Sequence, residues 1–135
     1  MNAFVPEIFA RDWIAAWNRH DVEAVLAYYV DDVVFVSPLA ATVTGNPEVH
    51  GKASLRAYWN KALRSYSSPP QFLLESFNWD KEKSTLFIIF VLTDQGRTVR
   101  RCELMHFKPD GLISRSEAFA GATIVSTSPS GSRSI

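Results

Sequence analysis

The hydrophobic pattern of the chain changes its period near Pro69 and Pro70, and this change constrains the fold more than any other feature. Before it, apolar residues recur at spacings of three and four, which indicates amphipathic helices. After it, apolar and polar residues mostly alternate between short turn sequences, which indicates β-strands. Because helices come first and strands afterwards, the sequence predicts an α+β domain with helices on one face of a mainly antiparallel sheet.

Three N-terminal segments have the helical spacing. The first begins near Pro6, a residue suited to the first turn of a helix. The second follows Asp21, a favourable N-cap, and the third begins at Gly51 and stops before 67–70. The apolar residues of the second segment extend the predicted helix to residue 30: Val22, Val25, Leu26, Tyr29 and Val30. A short strand at 33–36 and a loop over 38–50 are expected between the second and third helices.

Four strands are predicted after the change of period, over 72–80, 85–93, 97–107 and 112–119. The strand at 85–93 is apolar on both faces, so something must cover each of them. The helices cover one face only. We therefore expect a homodimer that forms through the other face of the sheet.

The composition limits the classes of function. The 135 residues fit one domain, expected over 1–121, followed by a flexible tail rich in Ser, Gly and Pro at 122–135. Fourteen basic residues balance fourteen acidic ones, so no nucleic-acid or membrane partner is expected. The single cysteine, Cys102, and the absence of metal-ligand spacing predict neither a metal nor a cofactor. The N-terminus lacks a signal-peptide pattern, so a cytoplasmic location is expected.

A charged pair lies within the strand predicted at 97–107. Alternation places Arg101 and Glu103 on one face, together with Val99, Met105 and Phe107. Charges among apolar neighbours are costly unless they are paired or functional. Two interpretations remain open. The pair is a structural ion pair, or Glu103 is a general acid or base with a raised pKa while Arg101 binds an anionic oxygen.

Four segments carry a resemblance to a known family: AWNRHDV at 16–22, YVDDVVF at 29–35, VHGK at 49–52 and FKPDGLI at 107–113. With them the chain resembles the nuclear transport factor 2-like superfamily over residues 5–121. The most similar branches are the SnoaL-like polyketide cyclases and the ketosteroid isomerases. This resemblance implies a cone-shaped α+β barrel, in which three N-terminal helices pack on a curved, mainly antiparallel sheet. It also implies an apolar pocket under the helices, and dimers are common in the family.

The comparison with the ketosteroid isomerases fails in part. Their pocket tyrosine corresponds to Trp13 and their proton-abstracting aspartate to Ser37, whereas their second carboxylic acid corresponds to Glu103. A serine cannot replace a carboxylate as a general base without a base of its own, so isomerisation by that route is not expected. The cyclases imply acid–base groups on the last strands, which are Glu103 or, if a β-bulge reverses the facing there, Glu117. In the isomerase register, Ser116, Ala118 and Ala120 point inward instead.

The predicted site combines one catalytic residue, Glu103, with a set of ligand-binding residues. Aromatic members of this set either wall a pocket for a flat molecule or only anchor the helices on the sheet. His50, near the expected pocket mouth, either shuttles protons or is a solvated loop residue. The predicted ligand-binding residues are Trp13, Trp17, Phe35, Ser37, His50, Tyr58, Trp59, Arg101 and Ser116.

The function predicted from these residues is that of a pocket protein for a small apolar molecule. One alternative is a cofactor-free isomerase, cyclase or dehydratase that acts on an apolar oxygenated substrate by acid–base chemistry. The other is a non-catalytic module that binds a ligand or mediates dimeric assembly. Fold similarity is compatible with both alternatives and does not decide between them.

Overall fold

The computed structural model describes residues 4–125, with the side chains of residues 4–122. The helices are α1 Pro6–Asn18, α2 Val22–Leu26, α3 Pro38–Thr44 and α4 Lys52–Arg64. The strands are β1 Tyr29–Val36, β2 Glu48–His50, β3 Gln71–Asp80, β4 Thr85–Asp94, β5 Arg97–Phe107 and β6 Ile113–Val125. Helices near the N-terminus pack on a curved, mostly antiparallel sheet, which confirms the predicted α+β class.

The strands form one sheet in the order β2-β1-β6-β5-β4-β3. The pair β1–β6 is parallel, and every other pair among these strands is antiparallel. Helix α1 packs on β3, and α4 packs on β1 and α2. We call the face of the sheet that the helices cover the inner face, and the opposite face the outer face. The inner face carries most of the buried apolar residues of β4 and β5, including Leu86, Ile88 and Met105.

Side-chain caps define where two of the short helices begin. Asp21 accepts a hydrogen bond from the backbone N–H of Ala24 at 3.0 Å, which satisfies one free donor at the start of α2. Ser37 does the same for α3, where its Oγ accepts from the backbone N–H of Leu39 at 3.1 Å. Gly45 ends α3 with a φ of 85°, a conformation that favours glycine.

The end of α1 is fastened to the sheet by one side chain. The Nδ2 of Asn18 donates to the backbone carbonyl of Phe72 at 2.8 Å, and its Oδ1 accepts from the backbone N–H of the same residue at 2.7 Å. The amide of Asn18 therefore occupies the place that a neighbouring strand would take at the beginning of β3. These two hydrogen bonds fix the position of α1 over the inner face.

The predicted second helix and the loop after β1 were both wrong in part. Helix α2 ends at Leu26, and Tyr29 begins β1, because the carbonyl of Tyr28 accepts the backbone N–H of Ile113 at 2.8 Å. Pairing with β6 therefore overrides the helical spacing. The predicted loop over 38–50 contains α3 and β2, because a proline at the first helical position starts a helix.

The last strand is longer than predicted. It extends to Val125, and so enters the segment assigned to the tail at 122–135; residues 126–135 lie outside the described part. A bulge between Val99 and Arg101 shifts the pairing of β5 with β6. Gly121 lies at this bulge, where an added Cβ would be 2.9 Å from the carbonyl oxygen of Arg100, so the close approach requires glycine.

No helix among the described residues is long and apolar enough to cross a membrane. The outer face carries three exposed large apolar side chains, Leu73, Phe87 and Phe119, with exposed fractions of 69%, 38% and 42%. Phe87 on β4 and Phe119 on β6 lie close together, with ring centroids 6.2 Å apart. The described residues 4–125 therefore leave these apolar side chains of the outer face exposed.

Candidate active-site cavity

A cavity of about 90 Å³ lies between the helices and the inner face of the sheet. Its wall is mainly aromatic. Trp17 and Trp59 pack edge to face, with ring centroids 5.0 Å apart, and Trp13 packs on Trp17 in the same way at 6.1 Å. The polar side chains that line it include Ser37, Tyr58, Tyr66, Arg101 and Glu103. An apolar cavity with a few convergent polar groups is the usual form of a small-molecule site.

Glu103 is buried at this cavity, with 5% of its surface exposed. One of its oxygens, Oε2, accepts a hydrogen bond from the Ser116 hydroxyl at 2.7 Å and another from the Tyr29 hydroxyl at 3.3 Å. Tyr29 in turn accepts from the indole N–H of Trp13 at 3.3 Å. The other oxygen, Oε1, has no hydrogen-bond partner among the described residues. The carboxyl group is thus held by one oxygen, while the second can still accept a hydrogen bond.

Burial raises the pKa of Glu103 from 4.5 to about 7, while the hydrogen bonds from Ser116 and Tyr29 oppose this rise. Both protonation states are therefore accessible near neutral pH, as a general acid or base requires. Burial and the nearby charge of Glu103 raise the pKa of Tyr29 well above its ordinary value, so Tyr29 stays a protonated donor.

Arg101 is half-buried and lines the cavity on the same strand. Its guanidinium forms no ion pair within 4.0 Å with a carboxylate of the described residues. Its Nε is buried and lacks a hydrogen-bond partner. The direct Arg101–Glu103 ion pair, one of the two interpretations of the sequence, is therefore not present in the described chain.

A second pair of hydroxyl groups lies at the other side of the cavity. The Oγ of Ser37 and the hydroxyl of Tyr58 are 3.5 Å apart, which is a weak hydrogen bond. Burial raises the pKa of Tyr58, while the charge of Arg101 opposes this rise. Both hydroxyls can donate to a ligand oxygen in the cavity.

Most of the predicted site residues meet at this cavity. It brings Glu103 together with Trp13, Trp17, Phe35, Ser37, Tyr58, Trp59 and Arg101. Two predicted residues lie elsewhere. Ser116 is completely buried and binds Glu103 instead of lining the cavity. His50 is exposed and pairs with Glu48 at 2.8 Å beside a separate surface cleft.

The register of β6 against β5 shows which residues of β6 face inward. Glu103 lies opposite Ala118 and Met105 lies opposite Ser116, without a bulge between them. Ser116 and Ala118 therefore face inward, whereas Glu117 pairs with Leu104 and faces the other way. Ala120, the third residue expected to face inward, lies opposite the inward-facing Arg101 and is exposed there. Burial raises the pKa of Cys102, which faces outward, to about 11, so its thiol stays protonated.

Tyr29, which donates a hydrogen bond to Glu103, is a candidate site residue that sequence reasoning missed, because its spacing from Leu26 and Val22 fitted the second helix. A signal for its true position was available. The run YVDDVVFV at 29–36 is rich in β-branched and aromatic residues, which favour a strand. Alternation along a strand would have placed Tyr29 on the same face as Val33 and Phe35, and all three are buried.

No group of three or more His, Cys, Asp or Glu side chains that could hold a metal ion occurs in the part of the chain that the structure describes.

The chain has the fold of nuclear transport factor 2-like proteins. Residues 10–116 match the SnoaL-like domain family, and the chain belongs to this family. No functionally curated protein matches the chain.

Solved structures with the same fold support this assignment. A SnoaL-like protein of unknown function from Burkholderia thailandensis is 28% identical, with a TM-score of 0.76 over 87% of this chain and 94% of that one. A protein with a cystatin-like fold and unknown function from Methylobium petroleophilum is 22% identical, with a TM-score of 0.69 over 94% of this chain and 80% of that one. A protein from Kribbella flavida, provisionally named a ketosteroid isomerase, is 18% identical, with a TM-score of 0.67 over 92% and 82%.

Proposed function

We propose that this protein is a cofactor-free enzyme of isomerase or lyase type that acts on a small, mainly apolar, oxygenated molecule by acid–base chemistry. The observation that carries the proposal is the buried carboxyl group of Glu103, which has a pKa of about 7 and an unpartnered Oε1 at an apolar cavity. The superfamily includes cofactor-free isomerases and cyclases, and one similar structure bears the provisional name of a ketosteroid isomerase.

In the proposed reaction Glu103 moves the proton. As a carboxylate it removes a proton from a carbon beside a carbonyl group, and as a carboxylic acid it returns that proton to another carbon or to a departing hydroxyl group. Because Ser116 and Tyr29 occupy Oε2, the proton moves at Oε1. A pKa near the operating pH suits both steps.

Arg101 stabilises the negative oxygen that forms when the proton leaves. A guanidinium at a mainly apolar cavity holds an enolate or carboxylate oxygen more strongly than it would in water. The hydroxyls of Tyr58 and Ser37 supply further donors. Ser37 itself has no general base beside it, and so it binds rather than reacts.

The volume of the cavity limits the size of the substrate. Its volume of about 90 Å³ is smaller than the roughly 150 Å³ apolar cavity that accommodates benzene in an engineered protein. The cavity therefore cannot enclose a whole polycyclic molecule, and we expect only a small reacting part of the substrate to enter it.

Solvent deuterium incorporation tests this function without knowledge of the natural substrate. Small open-chain and cyclic ketones in D₂O would be followed by ¹H NMR with the wild-type chain, Glu103→Gln and Glu117→Gln. We expect exchange with the wild type and with Glu117→Gln, and a loss of about 100-fold or more with Glu103→Gln. Equal rates for Glu103→Gln and the wild type, or no exchange above buffer with any ketone, would refute the proposed role.

We also propose that a second copy of the chain covers the outer face. The exposed side chains of Leu73, Phe87 and Phe119 support this, since large apolar side chains grouped on one exposed face are typical of an interaction site, and Phe87 and Phe119 lie 6.2 Å apart. Light scattering at micromolar concentration should give twice the chain mass of 15.2 kDa. A mass equal to that of one chain would contradict the dimer.

A further inference from the structure

A second cleft, of about 200 Å³, adjoins the cavity on its β4–β5 side. The cleft and the cavity share Tyr66, Leu92 and Arg101 as lining residues. Asp94 and Arg97 also line this second cleft, which we call the side cleft. Arg101 thus lies at the junction between the cavity that contains Glu103 and a more polar space beside it.

Two buried polar atoms at the side cleft have no partner. They are the Nε of Arg101, a donor, and the Oδ1 of Asp94, an acceptor. Neither residue forms an ion pair within the described chain. A buried polar atom of a charged group that is left without a hydrogen bond costs free energy, and a ligand with a complementary atom removes that cost. An anionic oxygen is the group that complements Arg101.

We propose that the substrate is a small oxo acid, whose carboxylate binds Arg101 at the junction while its acidic C–H bond faces Oε1 of Glu103. This inference rests on the proposed acid–base function and names the substrate class for it. The carboxylate supplies the partner that Arg101 lacks, and the oxo group makes the neighbouring C–H bond acidic enough for a carboxylate to act on.

The spacing on β5 suits such a molecule. Arg101 and Glu103 pair regularly with Ala120 and Ala118, so no bulge separates them, and both face inward. At a rise of about 3.3 Å per residue, their Cα atoms lie about 6.6 Å apart. In a 2-oxo acid, one carbonyl carbon separates the carboxylate from the reacting carbon, so a single small molecule can contact both side chains.

The charges around the side cleft favour an anion with a single charge. Arg97 and Arg101 contribute two positive charges, and Asp94 contributes one negative charge. A carboxylate is attracted by this net positive charge. A carboxylate neutralises this net charge, whereas a phosphate dianion would leave an excess negative charge in the half-buried cleft beside Asp94.

The proposed step balances without an oxidant. The carboxylate of Glu103 takes a proton from C3, and the electron pair of that C–H bond forms the C2=C3 double bond. The electrons of the C2=O double bond move to oxygen, which gives an enolate beside Arg101. Return of a proton, or of a deuteron in D₂O, to C3 restores the oxo acid and the carboxylate of Glu103.

The test uses 2-oxobutanoate and its neutral counterpart 2-oxobutanamide, near pH 7, the pKa of Glu103. Binding would be measured by calorimetry, and exchange at C3 by ¹H NMR in D₂O. The variants are Arg101→Met and Arg101→Gln, so that one remains if the other does not fold. Arg100→Met is the matched control, because Arg100 points to the outer face and pairs with Glu75 at 3.0 Å.

We expect the wild type and Arg100→Met to bind 2-oxobutanoate about tenfold or more tightly than the amide, and the Arg101 variants to lose this preference. No preference in the wild type, or an unchanged preference in the Arg101 variants, would overturn the inference. Displacement by an equal concentration of inorganic phosphate would also overturn it. Carboxylate-selective binding without exchange at C3 would support anion binding by Arg101 and contradict the acid–base function alone.

Discussion

Replacement of Glu103 by glutamine should make the protein more stable at neutral pH, although it removes the proposed catalytic group. Glutamine keeps the shape of the protonated side chain, and its carbonyl oxygen can accept the hydrogen bonds from Ser116 and Tyr29 that Oε2 accepts now. It never carries the buried negative charge. The variant therefore behaves as a permanently neutral Glu103.

The magnitude follows from the pKa of Glu103, which is about 7 in the folded chain against an ordinary value of 4.5. Between these two pH values the unfolded chain releases the proton and the folded chain retains it. The folded state then binds more protons, so the free energy of unfolding falls as the pH rises through this window and stays constant above it. The free energy of unfolding of the wild type is therefore about 3 kcal/mol lower above pH 7 than it would be with a permanently neutral Glu103. Below pH 4.5 the wild type and the variant should have nearly the same free energy of unfolding.

Urea denaturation across this pH range measures the effect. We expect the variant to gain up to about 3 kcal/mol in the free energy of unfolding above pH 7, or roughly 10 °C in Tm for a chain of this size. Glu82→Gln, in the exposed turn between β3 and β4, is the matched control and should follow the wild type. A difference between Glu103→Gln and the wild type that does not change with pH would refute the buried-charge argument.

Three further outcomes are expected. Ser116→Ala removes the 2.7 Å hydrogen bond to Glu103 and should move the pH profile of deuterium exchange upward by about one to two pH units; an unchanged profile would contradict this role. Asn18→Ala should lower the free energy of unfolding by about 2 kcal/mol, because both hydrogen bonds to the backbone of Phe72 are lost, and urea denaturation would detect it. Leu73→Lys should halve the mass seen by light scattering if the outer face is the dimer interface, whereas an unchanged dimer would place the interface elsewhere.

Sequence reasoning located those helices and strands correctly whose local hydrophobic pattern matches the face that is buried in the folded chain. The strand predicted at 97–107 coincides with β5, because its alternation matches an inner face that is buried. The second helix was predicted too long because the spacing of its apolar residues is local information. The hydrogen bond between Tyr28 and Ile113 joins distant parts of the chain, and no local pattern encodes it.

For the candidate site, the sequence predicted which residues take part but not how they contact one another. Glu103 and Arg101 stand out because charge on a buried strand face is unusual, and both line the cavity. Their relation to each other was not predictable. Whether two charges on one face pair directly depends on tertiary contacts, and here Glu103 accepts hydrogen bonds from Ser116 and Tyr29, on two other strands, without an ion pair to Arg101.

The parallel pairing of β1 with β6 also determines when the site is assembled during folding. Glu103 receives its hydrogen bonds from Tyr29 on β1 and Ser116 on β6, which are far apart in the sequence. Hairpins β3–β4 and β4–β5 are local and can form early, whereas closure of β6 onto β1 carries the entropy cost of a long loop and comes late. Until then Glu103 is solvated and ionised at neutral pH. The closing step therefore takes up a proton, and since contacts that form late act mainly on the unfolding rate, unfolding should become faster as the pH rises from 4.5 to about 7.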